Sequence, residues 1–189
     1  MMNKGEAGSD RIVSFCNDLL AFEYVAIGGY ESAIEGLHVK YPAIAEKLIE
    51  FLGEHQRHVR DLEGIVYMNG GEPRKTPGIQ VIFKKPLMEL KKLQGGEAIL
   101  GAMVSNEESA ATQYDSAQNE ALDQKFPQAV IDVCRRALED ERRHLAYVVE
   151  QYESFRTGTK IGTEERRPHA PPRAKEKGFG GAAGLSGTA

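Results

Sequence analysis

Four stretches of this chain carry apolar residues at alternating three- and four-residue steps, and that periodicity commits most of the chain to long amphipathic helices. The first runs from about Asp10 to His38, with Ile12, Cys16, Leu19, Leu20, Glu23, Ile27 and Tyr30 on one face. The second starts after Tyr41, with Pro42 suited to a first helical position, and ends at Asn69-Gly70-Gly71. Its stripe is Ile44, Leu48, Leu52, His55, Val59, Leu62 and Val66. The third opens after Gly95-Gly96 and reaches about Leu122. The fourth runs from about Phe126-Pro127 to Phe155, with Ile131, Cys134, Leu138, Glu141, Leu145 and Val148 in line.

The connections between these segments decide the topology. Helices one and two are joined by a few residues, as are three and four, so each pair forms an antiparallel hairpin. The link from Gly70 to Gly95 is far longer. It holds Pro73, Pro77 and Pro86, a β-like piece from Ile79 to Phe83, and a candidate short helix from Leu87 to Leu93. A link of that length can cross the whole bundle and let helices two and three run parallel. The expected fold is all-α: an antiparallel four-helix bundle with one long crossover between helices two and three. The expected organisation is a disordered N-terminus over 1–9, the bundle over 10–155, and a disordered tail rich in Gly, Ala, Pro and basic residues over 156–189.

Composition narrows the function classes. The chain is 41% hydrophobic and 28% charged, enough for a core without disulfides. A net charge of −4 and a pI near 5.8 give no electrostatic footprint for nucleic acid. Neither an h-region at the start nor an apolar run of membrane-spanning length is apparent, so no membrane is expected. Cys16 and Cys134 form neither a zinc motif nor a disulfide framework. Both thiols are expected to be free and buried, in a reducing, cytoplasmic setting.

The residues with chemistry sit on the apolar stripes. Helix four carries Glu141-Arg142-Arg143-His144, and residues three apart on a helix can reach one metal ion. Glu141 continues a buried stripe, and a buried carboxylate needs a partner. Helix two carries His55-Gln56-Arg57-His58 with the same spacing. Taken alone, either histidine reads as a hydrogen-bonded core residue, and Glu-x-x-His alone reads as a solvated face. An internal repeat changes the weighing. Glu23, Tyr30, Glu31, Ser32 and Ala33 align at a single offset with Glu107, Tyr114, Asp115, Ser116 and Ala117. In each copy the Tyr lies nearly two turns beyond the Glu on one face. Each copy is followed by the paired ligands of the next helix, so two hairpins build a pseudo-twofold site.

On these residues the chain resembles the ferritin-like superfamily of ferritins, bacterioferritins and rubrerythrins, over about Asp10 to Phe155. A closer likeness is to uncharacterised bacterial ferritin-like four-helix proteins, through Gly71-Glu72-Pro73, Gly96-Glu97-Ala98-Ile99-Leu100 and Asn106-Glu107-Glu108 with Tyr114. The resemblance implies a Glu on helices one and three and Glu-x-x-His on helices two and four, around a di-metal site. The chain departs at His55, where the family has Glu. The metal ligands implied are Glu23, His55, His58, Glu107, Glu141 and His144. Glu54 is an alternative that needs a local π-bulge, and Glu108 is the fallback for Glu107. Tyr30 and Tyr114 are the catalytic candidates, tuning the metal or relaying electrons. The metal implied is iron, di-iron or mononuclear, with zinc or manganese also compatible.

Three functions follow as expectations: an oxidase of Fe(II) that reduces O2 or peroxide, a storage or zinc-locked site without turnover, and a metal-free bundle for stress response or assembly. A homo-oligomer is expected. The tail, with Arg166, Arg167, Arg173, Lys175 and Lys177 and the apolar Phe179 and Leu185, reads as a solvated end, or as a peptide that docks the bundle onto a larger assembly.

Overall fold

The computed structural model describes residues 4–76, 93 and 95–158, with side chains from Gly8 onward. The described residues form four helices: α1 (Lys4–Leu37), α2 (Pro42–Met68), α3 (Gly96–Asp123) and α4 (Gln128–Thr157). Their 27 to 34 residues give rods of about 40–50 Å at 1.5 Å per residue. Pro42 stands in the first turn of α2. That turn loses nothing by lacking an N–H, because first-turn amides have no intrahelical acceptor. Helix α4 stops at Gly158, which takes φ +66°, a left-handed conformation that a side chain would strain.

The pairings establish the expected topology. Helices α1 and α2 pack along their length, as do α3 and α4, while α1 also meets α3 and α2 meets α4. At one end of the α1–α3 seam Gly36 lies beside Ile99, and farther along Phe22 meets Tyr114 edge-on at 6.2 Å. The numbering rises on one helix and falls on the other, so α1 and α3 are antiparallel. Phe51 beside Tyr147 and Asp61 beside Arg136 show the same for α2 and α4. Hence α2 and α3 run parallel, as do α1 and α4, which lie across the diagonals. A Cβ on Gly36 would come within 2.6 Å of the Ile99 side chain, so the absent side chain allows this close approach.

The apolar stripes close into two cores separated by a polar layer. One contains Cys16, Leu19, Leu62, Tyr114, Cys134 and Ala137. The other contains Tyr30, Leu37, Leu48, Phe51, Leu100 and Met103. Each large side chain buried in them stabilises the fold by about 1.5–3 kcal/mol.

Two expectations need adjustment, and others fall outside the described residues. Helix α1 begins at Lys4, inside the 1–9 segment expected to be disordered. Once a helix is nucleated each further residue adds a hydrogen bond, so an established 34-residue helix extends through residues that would not start one. Gly8–Leu37 is also long and apolar enough to pass for a membrane span, contrary to the sequence-based expectation. The reason is that α1 contributes to both cores and carries polar groups such as Glu23 inside the bundle. The β-like piece at 79–83, most of the 87–93 helix and the tail beyond Gly158 lie outside the described residues. Leu93 is described, is not helical, and packs against the second core.

Candidate metal centre

The polar layer between the two cores brings Glu23, His55, His58, Glu107, Glu141 and His144 together, each buried. They arrive from all four helices because each continues an apolar stripe at a three- or four-residue step. Two groups of ligand-type atoms form, Glu23–His55–His58–Glu141 and His55–Glu107–Glu141–His144, with the atoms of each within 4.8 Å of one another. His55 and Glu141 belong to both.

In the first group protons close the gaps between the side chains. His55 Nδ1 donates to Glu23 Oε2 at 2.8 Å, and His58 Nδ1 donates to Glu23 Oε1 at 3.1 Å. The Tyr114 hydroxyl donates to the same Oε1. His58 Nε2 donates to Asp140 Oδ2 at 3.0 Å. With a carboxylate on each nitrogen, His58 is an imidazolium. Burial pushes it down, but Asp140 and Glu23 outweigh that and raise it to about 9. Burial likewise raises Glu23, and the two histidines overcome it and bring the carboxyl down to about 2.

The second group is open. His144 Nε2 donates to Glu54 Oε2 at 2.5 Å, which leaves the Nδ1 lone pair directed inward. That nitrogen lies 3.7 Å from both Glu107 Oε2 and Glu141 Oε2 and has no hydrogen-bond partner. Glu107 Oε2, both Glu141 oxygens, His55 Nε2 and the Tyr30 hydroxyl are also buried without one. Burial holds His144 down to about 4 and raises Glu107 to about 6. Burial, then the charges of Glu107 and Glu23, push Glu141 well above the carboxylate range. Both tyrosines are also pushed well up by burial and by neighbouring carboxylates.

The two alternative ligands fall elsewhere. Glu108 is exposed, because one residue's step turns it about 100° away from Glu107. Glu54 is half-buried and bonds the outer nitrogen of His144 and, at 2.6 Å, Arg143. It orients that ring and does not replace His55. Asp140 serves His58 in the same way and was absent from the sequence-based set. It is held in turn by Arg57 at 2.5 Å and Arg143 at 2.8 Å. The arrangement is crossed: the carboxylate on α2 holds the ring from α4, and the carboxylate on α4 holds the ring from α2. Such a contact fixes which nitrogen faces a metal and raises its basicity. The sequence carried a signal for it. Glu54-His55-Gln56-Arg57-His58 aligns with Asp140-Glu141-Arg142-Arg143-His144, with acid, Arg and His in register.

Residues 11–120 match the family described as Domain of unknown function (DUF2383). The chain belongs to this family. No curated protein matches the DUF2383 chain significantly. Its fold is shared with solved structures. The Desulfovibrio desulfuricans bacterioferritin, whose diiron site was seen in different catalytic states, superposes with a TM-score of 0.69 at 18% identity, over 82% of this chain and 85% of that one. The Rhodobacter capsulatus bacterioferritin, with a metal-free dinuclear site and heme iron, gives 0.60 at 18%, over 78% and 87%. A dodecameric thioferritin from Bacteroides fragilis gives 0.59 at 17%, over 81% and 92%. The fold of the DUF2383 chain is therefore a ferritin-like four-helix bundle, with two Glu/His groups of metal-ligand composition at its centre.

Proposed function

We propose that the bundle binds two iron ions through Glu23, His55, His58, Glu107, Glu141 and His144, and oxidises Fe(II) or reduces O2 or peroxide there. The observation that carries this reading is the set of buried atoms without partners: His55 Nε2, Glu107 Oε2, both oxygens of Glu141 and His144 Nδ1. Each such atom costs about 1–3 kcal/mol when left unpaired, and cations among them would meet that cost. The donor set fits iron, because carboxylates favour the ferric ion and imidazoles retain the ferrous one. Zinc and manganese fit the same atoms. Iron held there would supply one-electron exchange with O2 or peroxide.

The protein's own part is to orient, to hold protons and to exclude water. Glu54 and Asp140 fix the His144 and His58 rings. Tyr114 holds Glu23 by its hydroxyl. Tyr30, with its ring 4.8 Å from that of His55, would relay an electron and a proton. A cavity of about 10 Å³ at the α1–α3 seam, bordered by Tyr30, Glu107, Ala26 and Ala110, is room for about one water and offers a small oxidant an approach. The similarity to a dodecameric relative supports a homo-oligomer, and the two free thiols suit a reducing cytoplasm.

Anaerobic iron loading followed by elemental analysis should find two ions per chain, and Fe(II) should then consume O2 or peroxide. Metal content at background would sink the reading. Metal bound without consumption would replace turnover with storage or a zinc-type structural site. The second reading, a bundle that works without metal, is favoured by one feature: Glu23 already receives three donors from His55, His58 and Tyr114.

A further inference from the structure

His55 occupies the position in the α2 motif that Glu141 occupies in the α4 motif, and it belongs to both ligand groups just as Glu141 does. A carboxylate joins two cations through its two oxygens. An imidazole can do so through its two nitrogens once it has released its single N–H proton to solvent. The surroundings of His55 suit that use. Nδ1 faces the first group, 2.8 Å from Glu23 Oε2 and 3.6 Å from Glu141 Oε1. Nε2, on the opposite side of the ring, is buried and bonded to nothing. The ring is 0% exposed and packs against Tyr30 at 4.8 Å and His144 at 5.3 Å, so it is held against turning.

We propose that His55 bridges two metal ions as an imidazolate, through Nδ1 to the ion of the Glu23–His58–Glu141 group and through Nε2 to the ion of the Glu107–His144–Glu141 group. This rests on the metal binding proposed above and specifies how the two ions are joined. Charge supports it: three carboxylates and one imidazolate carry four negative charges, which balance two divalent cations. Replacing a bridging Glu by a neutral His would leave that balance one short. Glu141 complements the bridge, with Oε1 toward His55 and His58 and Oε2 toward His144.

The bridge fixes a distance that can be measured. With metal–nitrogen bonds of about 2 Å on opposite sides of the ring, the ions lie about 6 Å apart, beyond the ~3.5–4 Å usual for paired metals. Imidazole ligation on this scale suits iron, zinc, copper or nickel. The test is a crystal structure of the full chain saturated with Co(II), with the ions located by anomalous scattering and compared with His55→Glu and His55→Ala. The expected result is two ions about 6 Å apart with His55 between them. His55→Glu should draw them to about 4 Å, and His55→Ala should lower the metal content. Two ions within about 4 Å in the native protein, or a His55 ring bound through one nitrogen only, would overturn the bridge and leave metal binding standing. Absence of cobalt from the native protein would overturn both. The native measurement decides the matter even if a variant fails to fold.

Discussion

The two halves of the buried cluster are built from one repeated pattern, yet they hold opposite proton states. Around Glu23, every gap is closed by a hydrogen: His55, His58 and Tyr114 donate to one carboxylate, and His58 is held as a cation. Around Glu107, the matching atoms have no partners, and His144 is neutral with its lone pair inward. The difference traces to few atoms. Tyr114 reaches the Glu of the facing helix, whereas Tyr30 leaves its hydroxyl unbonded. Asp140 is lowered by His58 and Arg143 against its burial. Glu54 is likewise lowered by His144 and Arg143, but burial still keeps the His144 ring uncharged. Both halves must displace the proton of the shared Glu141, and the Glu23 half must also lose those of His58 and His55 Nδ1.

The change with the largest expected effect removes what the halves share. Glu141→Ala takes one ligand from each group, so iron content after anaerobic loading should fall to background. If half the metal stays, Glu141 serves one group only and the pairing is wrong.

The crossed carboxylates separate the halves. Asp140→Ala should weaken the Glu23 half and Glu54→Ala the Glu107 half, each by about 10–100-fold in metal affinity. Stepwise titration of the metal-free protein resolves the two events. Weakening of the same step by both variants would mean that the halves do not load independently. Because the Glu107 half needs no histidine proton removed, it should fill first at neutral pH. As pH falls from about 9 the Glu23 half should weaken first, because its loading displaces the proton that His58 holds up to about 9, and the Glu107 half should follow once Glu107 takes up its own proton at about 6.

How much of this was legible beforehand follows from what periodicity can encode. A stripe at three- and four-residue steps tells which face of a helix is buried, so Glu23, His55 and Glu141 were placed inward from sequence, and Glu107 followed from its alignment with Glu23 in the repeat. Loop lengths told which helices are antiparallel. Neither gives the axial register between α2 and α4, and Asp140 acts only through that register, one helix away from the ring it holds. Read along its own helix, it is one more acid beside an Arg. Glu54 shows the converse: proximity in sequence to His55 suggested a substitute ligand, while the contact that matters is to His144 across the seam. The repeat also concealed the asymmetry. It predicted equal Tyr–Glu pairs, and the structure gives a hydrogen bond to only one of the two tyrosine hydroxyls.

That tyrosine difference has a smaller, stability-level consequence. Tyr114→Phe removes a donor to a buried carboxylate and should cost the metal-free protein about 2 kcal/mol. Tyr30→Phe removes a hydroxyl that acts on the Glu107 carboxyl without closing a full hydrogen bond to it and should cost less than Tyr114→Phe, about 1 kcal/mol or below. Urea unfolding of the two variants beside the parent measures both. Equal costs would show that the halves are alike in solution.

The smallest effect concerns the core below the Glu23 half. Cys16 and Cys134 are both free and buried there, on α1 and α4, which lie across the bundle's diagonal. Burial pushes each thiol up to about 12, and for Cys16 the nearby Cys134 adds to the rise. At neutral pH almost no thiolate exists, and the thiolate is the form that attacks a disulfide reagent or binds a soft metal. Both thiols sit in the same core, but diagonal helices should hold their Cα atoms beyond the ~7 Å a disulfide can span. The native, non-reduced protein should therefore show two thiols that react slowly with a chromogenic disulfide and quickly in denaturant. Metal loading should leave that slow rate unchanged, because the ligands proposed are carboxylates and imidazoles. A fast native thiol would mean that this core opens to solvent, and a rate that responds to metal would mean that a thiol contacts the site and that the ligand set is incomplete.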